Sequence, residues 1–354
     1  MTRKRVRLAD VAEEAGVSAS TASRALGFDS HLISPATRER VRMVAQRLGY
    51  RVNPIARSLR MSSTASIGMV VPSIMNPFFM ELVAHVESCL ADEHMALHLS
   101  NSRDSHTVED QHIRTFSSGS VDGLIIVPCH EISSAPAIEH ASRSLPIVQL
   151  DRPCPNIGIA SVGVDDRASI GMIMDHLQAQ GVHTLALVTN TGANLSSMAR
   201  VHEALQAATR LGMDLPENRI IEGCQSVEGG IEAARALRAQ GPLPDAIVCL
   251  NDLLALGVIA ELRKRGIRVP DDVLVTGFDD IQFAALSTPS LTTIRQPLMQ
   301  IARTAVQILL NNQPNSYTRT TFKGELIVRE STTRLYPPQR PGSLPIWAAQ
   351  KVSN

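Results

Sequence analysis

The sequence predicts a small all-α domain at the N-terminus and, behind it, a larger α/β domain built from two doubly wound parallel-sheet lobes. Three short amphipathic helix patterns lie within the first 50 residues. From Ser66 onward, apolar runs rich in β-branched residues alternate with helical patterns, which is typical of parallel sheets covered by helices on both faces. These alternating units are more numerous than one small sheet requires, so we expect two lobes.

Charge is distributed unevenly along the chain. The 354 residues include 34 Lys and Arg and 34 Asp and Glu, but residues 1–60 hold 12 of the former and only 5 of the latter. The N-terminal segment is therefore basic and the rest of the chain acidic. This asymmetry indicates that the basic segment binds nucleic acid or an acidic membrane surface. No secretory signal or bilayer-spanning apolar run is present in this sequence, so we expect a soluble protein without a membrane partner.

Cysteine and histidine spacing argues against a metal or a disulfide framework. The five cysteines are scattered and never spaced as CxxC, which fits a reducing cytoplasm. His176, His183 and His202 are not joined by a metal-binding spacing. Glycine-rich phosphate loops and the GxSxG motif are missing too, so we expect neither a cofactor nor an enzyme.

The first helix patterns are arranged as helix, turn, helix. An amphipathic stripe over residues 8–15 ends at Gly16, a residue suited to the left-handed position after a helix. Ser18 is placed to cap the second helix, and Ser34 followed by Pro35 to start the third. Three short helices with small residues at the tight crossing make a DNA-binding helix-turn-helix, although a plain basic three-helix bundle has the same periodicity.

The amino-acid sequence of this segment resembles the DNA-binding domain of the LacI/GalR family of bacterial repressors. LADVAEEAGVSASTASRALG and SPATRERVRMVAQRLGYRVNPIARSLR carry the resemblance over residues 7–60. It implies that Ala19, Ser20 and Arg24 face base edges, and that Thr21 and Ser23 lie near phosphates. Arg24 is the strongest candidate for a specific contact, because a guanidinium bonds bidentately to guanine.

Residues 52–65 resemble the hinge helix and linker of that family. Asn53 would cap a helix that is too short to be stable alone and that folds on the operator as a pair, one from each subunit. The resemblance implies that Leu59 wedges between base steps of the minor groove, with Arg57 and Arg60 at phosphates or groove edges and Ala56 on the same helix. A plain flexible linker is the alternative.

Polar residues follow many of the predicted strands. The strands are residues 67–71, 97–100, 123–127, 146–150, 185–189, 246–250 and 273–277. Carboxylates, amides and an aromatic pair come directly after them, and ligands bind outside the carboxyl ends of such strands. We therefore expect a site for a polar, hydroxyl-rich solute.

The same region resembles the sensor domain of the LacI/GalR family, which is similar in fold to type I periplasmic sugar-binding proteins. VVPSIMNPFF, PIVQLDR, NDLLALG and VPDDVLVTGFDD carry this resemblance as far as about residue 335. It implies effector contacts from Ser73, Asn76, Phe78, Asp151, Arg200, Gln225, Asn251, Asp279 and Leu298. Asp252 and Asp280 are expected to cap helices, and Phe79 to be core.

The sequence departs from the family pattern around the predicted site. Glu203 and Ala204 stand where relatives have glycine and an aromatic residue, and Gln225 and Leu298 replace aromatics of some sugar-sensing members. With only 3% aromatic residues, a stacked pyranose ring is not assured. A sugar, a polyol, a sugar phosphate and a nucleoside all remain open as effectors.

We therefore expect a cytoplasmic, nucleoid-associated repressor that binds double-stranded operator DNA as a homodimer and responds to a small-molecule effector. The expected domains are residues 1–51, the hinge 52–65, a sensor 66–338 and a flexible tail 339–354. Lobe 1 would comprise 66–162 and 294–320, and lobe 2 would comprise 163–293 and 321–338. Control by a protein co-effector is an alternative, and a solute-binding protein without DNA binding is a weaker one.

Overall fold

The computed structural model describes residues 6–27, 32–50, 63–190, 195–311 and 318–334. The chain forms two compact units, Met1–Ala65 and Ser66–Asn354. The hinge residues up to Ser62 and the predicted tail 339–354 lie outside the described residues.

The N-terminal unit contains the three predicted helices: α1 (Leu8–Glu14), α2 (Ala19–Ala25) and α3 (Pro35–Leu48). The hydroxyls of Ser18 and Ser34 accept backbone N–H groups in the first turns of α2 and α3, and Pro35 occupies the first turn of α3. Gly16 and Gly49 have φ angles of +63° and +68° after α1 and α3. The predicted caps and glycine turns are confirmed, because these positions need a hydroxyl acceptor or a left-handed backbone.

Small side chains form the core of this unit. Alanine and valine dominate it, which lets the short helices cross closely. The exposed surface of α2 carries Ala19, Ser20 and Arg24, whereas Thr21 and Ser23 are half-buried. The fully packed positions are Val11, Ala12, Ala15, Ala22, Ala25, Val41, Val44 and Ala45.

The first lobe of the second unit is built on a six-stranded parallel sheet. Its strands are β1 (Ser66–Val71), β2 (Ala96–Asn101), β3 (Gly123–Ile126), β4 (Ile147–Leu150), β5 (Ser161–Val164) and β11 (Arg319–Phe322). Their order across the sheet is β11-β5-β4-β3-β1-β2. The covering helices are α4 (Pro77–Asp92), α5 (His106–Ser117), α6 (Glu131–Ala141) and α12 (Leu298–Leu310).

The second lobe is built on a four-stranded parallel sheet of order β7-β6-β8-β9. Its strands are β6 (Leu185–Asn190), β7 (Ile220–Gly223), β8 (Ala246–Cys249) and β9 (Leu274–Thr276). Its helices are α7 (Asp166–Ala179), α8 (Leu195–Leu211), α9 (Val227–Ala239), α10 (Asp252–Lys264) and α11 (Gln282–Leu286). Strands β10 (Thr293–Arg295) and β12 (Glu325–Ile327) pair antiparallel beside it.

Each sheet is covered on both faces, as the alternating pattern predicts. In the first lobe, α4 and α12 pack on one face around Phe79 and Ile301, and α5 and α6 pack on the other around Phe116 and Ile138. In the second lobe, α7 and α8 cover one face and α9 and α10 the other. Six strands, β1, β3, β4, β6, β8 and β9, are buried along their whole length, and burial on both faces explains why their sequences are almost continuously hydrophobic.

The chain crosses between the lobes three times: after β5, after β10 and after β11. All seven predicted strands are present. Strands β5, β10 and β11 run past residues 162, 293 and 320, so each crossing lies a few residues beyond the boundary expected from the sequence. These strands, with β7 and β12, were not predicted, because their segments SVGV, IIEG, TIR, RTTF and ELI are interrupted by glycine, polar or charged residues and show no continuous apolar run.

Candidate functional site

Side chains from both lobes meet in a cleft at the carboxyl ends of the parallel strands, where open α/β sheets bind ligands. The cavity that they enclose measures about 20 Å³, room for roughly one water molecule. The lining residues are Asn76, Phe78, Phe79, Asp151, Arg152, Asn190, Ser196, Ser197, Arg200, Gln225, Asn251 and Asp279.

The start of α4 forms an apolar part of the wall on the first lobe. Asn76 is the N-cap of this helix, and its Oδ1 accepts the backbone N–H of Phe78 at 3.1 Å. The rings of Phe78 and Phe79 meet edge to face with centroids 5.2 Å apart, and both are buried. The cap therefore fixes two aromatic rings beside the polar groups of the cleft.

Arg152 follows β4 and connects the two lobes. Its Nε lies 3.4 Å from Oδ2 of Asp151, and its Nη2 lies 3.4 Å from Oε1 of Gln225 on the second lobe. The guanidinium carbon lies 5.3 Å from the centroid of the Phe79 ring, a cation–π distance. Arg152 is only 5% exposed, so its charge depends on these neighbours rather than on water.

Arg200 on α8 is the central cation of the second lobe. Its Nε donates to Oδ1 of Asp166 at 2.6 Å, and its Nη1 donates to the carbonyl oxygen of Leu250 at 2.9 Å. Its guanidinium lies 3.6 Å from the centroid of the buried Phe278 ring. Because Arg200 and Asp166 are both buried, the pair is held by complementary charge in a low-dielectric setting.

Two carboxylates, one from each lobe, lie on strained backbone in the cleft. Asp151 has a φ of +62° and Asp279 a φ of +110°, which is rare for residues with a side chain and concentrates at functional sites. Burial raises the pKa of Asp279 to about 7, with a smaller upward contribution from Asp151, while Arg200 and the hydrogen bond from Gln296 oppose the rise. The Gln296 amide donates to Asp279 at 2.8 Å.

Amides and hydroxyls form a hydrogen-bonded chain along the second lobe. Asn190 Nδ2 donates to Ser197 Oγ at 2.9 Å, and Asn251 Nδ2 donates to Asn190 Oδ1 at 3.2 Å. Asn251 Oδ1 accepts the N–H of Leu254 at 2.9 Å and caps α10. Each amide is oriented by its neighbour, so this wall is pre-organised.

Polar contacts also bridge the cleft directly. The Ser196 hydroxyl donates to the carbonyl oxygen of Asp151 at 3.0 Å. At the edge of the cleft, the N–H of Gln282 donates to Oε1 of Glu81 on α4 at 3.2 Å. Together with the contact between Arg152 and Gln225, these bonds join the lobes, so separating the lobes requires that they break.

In the N-terminal unit, α2 presents an exposed polar surface. The Ser18 hydroxyl lies 2.8 Å from both the Ser20 and the Thr21 hydroxyls while it accepts the N–H of Thr21. Arg24 is exposed one turn further along the helix. A helix of this kind, capped and carrying a guanidinium outward, is suited to the DNA major groove.

Comparison with known proteins identifies the family. Residues 7–53 match the family described as "Bacterial regulatory proteins, lacI family", and residues 174–332 match the "Periplasmic binding protein-like domain". The HTH-type transcriptional regulator PtxS of Pseudomonas putida is 32% identical over 337 residues, covering 94% of this chain and 97% of PtxS. The chain belongs to the LacI family of bacterial transcriptional regulators.

Two solved regulator structures share the fold of this regulator. The lac repressor dimer bound to operator and the anti-inducer ONPF is 27% identical with a TM-score of 0.83, over 94% of this chain and all of that chain. The regulator CelR in complex with cellobiose is 26% identical with a TM-score of 0.70, over 92% of this chain and all of that chain. The expected family and fold are confirmed.

The regulator's fold brings together seven of the nine effector residues expected from the sequence: Asn76, Phe78, Asp151, Arg200, Gln225, Asn251 and Asp279. Ser73 and Leu298 lie outside this lining. The Ser73 hydroxyl accepts the N–H of Met75 at 3.2 Å in the loop after β1. Leu298 packs into the core of the first lobe beneath α4.

The expectation that Asp252 and Asp280 cap helices is wrong. Asn251 caps α10, and the buried carboxylate of Asp252 instead accepts the N–H of Ile281 at 2.8 Å and the hydroxyl of Thr293 at 2.6 Å. The carboxylate of Asp280 pairs with Arg295 and Arg329, each at 2.7 Å. These carboxylates therefore tie the segments after β9 to β10 and β12.

Sequence reasoning did not assign five lining residues as contacts. Arg152 and Asn190 stand just after predicted strands, and Phe79, which was expected to be core, is both core and lining. Ser196 and Ser197 precede Arg200 by one helical turn, so their spacing of three and four residues was the signal that could have found them. Asp166, the partner of Arg200, lies 34 positions away and has no local signal.

His176, one of the three histidines whose spacing argues against a metal site, has a hydroxyl partner. The ring of His176 lies 2.8 Å from the Thr332 hydroxyl, and burial lowers its pKa. Within the ranges that the structure describes, no three His, Cys, Asp or Glu side chains are placed to share a metal ion. In those same ranges no helix combines the length and apolarity needed to cross a bilayer.

Proposed function

We propose that this regulator is a cytoplasmic, nucleoid-associated repressor that binds a near-palindromic operator as a homodimer and changes its operator affinity when a small polar metabolite binds in the cleft. The observation that carries this proposal is the charged, hydrogen-bonded cleft built from both lobes. A ligand held by two lobes stabilises one lobe arrangement over another, and that difference couples ligand binding to DNA binding.

The exposed surface of α2 supports the assignment of the DNA contacts. In a dimer, two copies of α2 would enter successive major grooves about 34 to 36 Å apart. Arg24 would bond to guanine O6 and N7, Ala19 would contact a thymine methyl and Ser20 would make a single hydrogen bond. Thr21 and Ser23, which are half-buried, would lie nearer the phosphates.

The hinge contacts are part of the same proposal. Asn53, Ala56, Arg57, Leu59 and Arg60 lie outside the described residues. A leucine between two arginines suits insertion between minor-groove base steps, with the guanidinium groups on the flanking backbone. Leu59→Ala should therefore weaken specific binding far more than non-specific binding, and an equal loss of both would refute the wedge.

Exposed apolar side chains support self-association. Phe283 and Leu286 on α11 are 46% and 77% exposed, and Met299 on α12 is 38% exposed. Both helices lie against α4, through the bond from Gln282 to Glu81 and through the Met299 and Cys89 sulfurs, which are 4.0 Å apart. Exposed large apolar side chains are typical of an interface, and the partner we propose is a second copy of this chain.

The cleft chemistry supports a hydroxyl-rich effector. Carboxylates of Asp151 and Asp279 accept hydrogen bonds from hydroxyl groups, Arg200 donates to ring or hydroxyl oxygens, and Phe78 offers an apolar ring face. CelR, which shares the fold, was solved with the sugar cellobiose. A sugar or sugar derivative is the effector class that these groups favour.

A thermal-shift screen of the purified protein against pentoses, hexoses, polyols, sugar phosphates and nucleosides tests the effector proposal, since a native-state ligand raises the melting temperature. A hit that also changes operator affinity would support it. Silence across the panel would contradict a metabolite of these classes and favour a protein co-effector.

Sedimentation of the protein with an operator duplex tests the dimer. The unaltered chain should bind as a dimer. Leu286→Glu should bind as a monomer or not at all, while Ile132→Glu, a matched change at a 71% exposed position on α6, should remain dimeric. A monomeric complex of the unaltered chain would refute the proposal.

A further inference from the structure

We propose that Asp252 is a positioning residue for the cleft, because its buried carboxyl group fixes residues 277–281, the carboxylate loop, from which Phe278 and Asp279 reach the polar groups of the cleft. This inference rests on the proposed function, since it assigns how one proposed effector contact is held in place. Asp252 itself lies outside the lining of the cleft.

The backbone of the carboxylate loop needs support from its surroundings. Asp279 has a φ of +110° and Asp280 a φ of +53°, in the left-handed region that residues with a side chain rarely adopt. Such conformations persist only where the surrounding structure over-determines them. The contacts that hold this loop therefore decide where the Asp279 side chain lies.

Strand β10 holds one side of the loop. The N–H of Asp279 donates to the carbonyl oxygen of Ile294 at 2.9 Å. The N–H of Asp280 donates to the hydroxyl of Thr293 at 3.4 Å. These bonds fix the middle of the loop against β10, and the far end, at Ile281, has another partner.

Asp252, the first residue of α10, holds the loop from the other side. Its backbone N–H donates to the carbonyl oxygen of Phe278 at 2.9 Å, and its Oδ2 accepts the N–H of Ile281 at 2.8 Å. Its Oδ1 accepts the Thr293 hydroxyl at 2.6 Å, the same hydroxyl that accepts from the loop. Asp252 therefore fixes the loop on both sides of Asp279 and joins it to β10.

Gly277 makes room for this carboxyl group. A Cβ at this position would lie 2.1 Å from Oδ1 of Asp252 and 2.8 Å from the side chain of Leu291. The φ of Gly277 is not in the left-handed region, so close approach rather than backbone conformation requires a glycine here. The loop and the carboxyl group are therefore shaped to fit each other.

The cap of α10 does not require the Asp252 side chain. Asn251 is the N-cap, and its Oδ1 accepts the N–H of Leu254 at 2.9 Å. Asp252 is fully buried, and burial raises its pKa well above the ordinary value of a carboxyl group. A carboxyl group in such a position lowers stability unless its oxygens are hydrogen-bonded. The bonds that satisfy it go to Ile281 and Thr293, so the contacts assign this carboxyl group to the loop.

The carboxylate loop carries two determinants of the cleft. The side chain of Asp279 lines the cleft and accepts a hydrogen bond from the Gln296 amide at 2.8 Å. The ring of Phe278 lies against the guanidinium of Arg200, whose Cζ is 3.6 Å from the ring centroid. Releasing the loop from Asp252 would therefore alter both an acceptor and a donor of the cleft.

Paired threonine variants test this role without deleting the carboxyl group. Thr293→Val keeps the shape of the side chain but removes the hydroxyl that joins Asp252 to the loop. Thr276→Val is the matched control on β9, because the buried hydroxyl of Thr276 has no hydrogen-bond partner within the described residues. Asp252→Ala is less suitable, since it would leave buried donors unpaired and destabilise the whole lobe.

Hydrogen exchange in the full chain measures the hold on the loop directly. In Thr293→Val, the amides of Asp280 and Ile281 should exchange about tenfold faster relative to those of β6, because the hydroxyl that anchors the loop is gone. Thr276→Val should keep the original protection. Asp252→Asn should keep most of it, since an amide offers both an acceptor for Ile281 and a donor for the Thr293 oxygen. Unchanged protection in Thr293→Val, or an equal loss in Thr276→Val, overturns the inference.

The titration of Asp279 supplies a readout that a purely structural role would not change. Burial raises the pKa of Asp279 to about 7, so Asp279→Asn should remove part of the decline in stability between pH 4.5 and pH 7.5. Measuring each background with and without Asp279→Asn isolates this part from the titration of other groups. It should shrink in Thr293→Val, because a released Asp279 gains water and its pKa falls towards the ordinary value, and it should persist in Thr276→Val. An equal part in both backgrounds contradicts the inference.

Ribose and glucose are the probes for the ligand readout. For a sugar that binds the unaltered chain, calorimetry should show about tenfold weaker binding to Thr293→Val and unchanged binding to Thr276→Val, because Asp279 is no longer pre-organised. Equal affinities for the two variants overturn the inference and leave the proposed function intact. If neither sugar binds the unaltered chain, that result counts against the proposed effector class, whereas the role of Asp252 is decided by the exchange and pH measurements.

Discussion

In the helix-turn-helix unit, the side chains proposed to read DNA lie on one short exposed helix, within six positions of one another. In the second unit, the cleft gathers residues from position 76 to position 279 into a largely buried space. The DNA-reading surface is formed by a contiguous stretch of sequence, whereas the cleft is formed only when the whole domain folds. The difference predicts that mutations on the exposed surface of α2 alter DNA binding at constant stability, whereas mutations in the cleft alter both ligand binding and stability.

The largest expected effect comes from removing one member of the buried ion pair. Asp166→Ala leaves Arg200 charged and buried, which typically lowers the free energy of unfolding by about 3 to 5 kcal/mol. Asp175→Ala is the matched control, because it breaks the pair with Arg210 that is more than half exposed and should cost less than about 1 kcal/mol. Urea unfolding measures the free energy of unfolding of both variants. Equal losses in the two variants would contradict the claim that the buried ion pair matters more than the exposed one.

The next effect is the pH dependence caused by Asp279. Its pKa is about 7 in the folded chain, above its ordinary value, so the folded state binds this proton more tightly than the unfolded state. The stability contributed by this proton is therefore present at low pH and is lost as pH rises towards 7, by up to about 1.4 kcal/mol per pH unit. Unfolding measured from pH 4.5 to 7.5 should show a smaller decline in Asp279→Asn. Parallel curves for the two proteins would contradict the assignment.

An intermediate effect on operator binding is expected at Arg24, with the stability of the fold unchanged. Arg24→Ala removes a bidentate base contact and should weaken operator binding by about 1 to 3 kcal/mol. Arg24→Lys keeps the charge but loses the bidentate geometry, so it should relax base preference while retaining non-specific binding. Anisotropy titrations at fixed salt measure both variants, and a lowered melting temperature in either would show that Arg24 also supports the fold.

The smallest effect is expected from the cap of α3. The Ser34 hydroxyl accepts the N–H of Thr37 at 3.3 Å, and Ser34→Ala should cost about 1 kcal/mol. Ser34→Asn keeps a capping acceptor and should restore most of that loss. Hydrogen exchange of the α3 amides in the full chain measures this loss of stability. Unchanged protection in Ser34→Ala would mean that tertiary packing alone stabilises α3.

The helix-turn-helix could be predicted from sequence because its determinants are local. Ser18 and Ser34 cap helices that begin one residue later, and Gly16 and Gly49 end helices that precede them directly. Seven apolar runs were also predicted correctly as strands, and six of these strands are buried along their whole length, which leaves a clear apolar pattern. Strands such as β10 and β12 were not predicted, because Arg295 and Glu325 interrupt their short apolar segments and their pairing joins residues 30 to 34 positions apart.

The cleft could be predicted only in part. Residues directly after strands, such as Asp151 and Asn251, were placed correctly at the carboxyl edge, because that edge follows from topology. The partners that set their charge were not foreseen, since the Asp166 to Arg200 pair and the Arg152 to Gln225 contact are formed by long-range folding. Asp252 was misjudged because Asn251, one residue earlier, takes the cap and leaves the carboxylate to Thr293.

Linkage between cleft and operator is the central claim, and reciprocal titration tests it most directly. Operator affinity is measured by anisotropy with and without a saturating ligand from the thermal-shift screen, and ligand affinity is measured by calorimetry with and without operator. We predict that both affinities change by the same factor, about 5- to 150-fold. A ligand that binds the cleft with the same affinity whether or not operator is present would contradict the account.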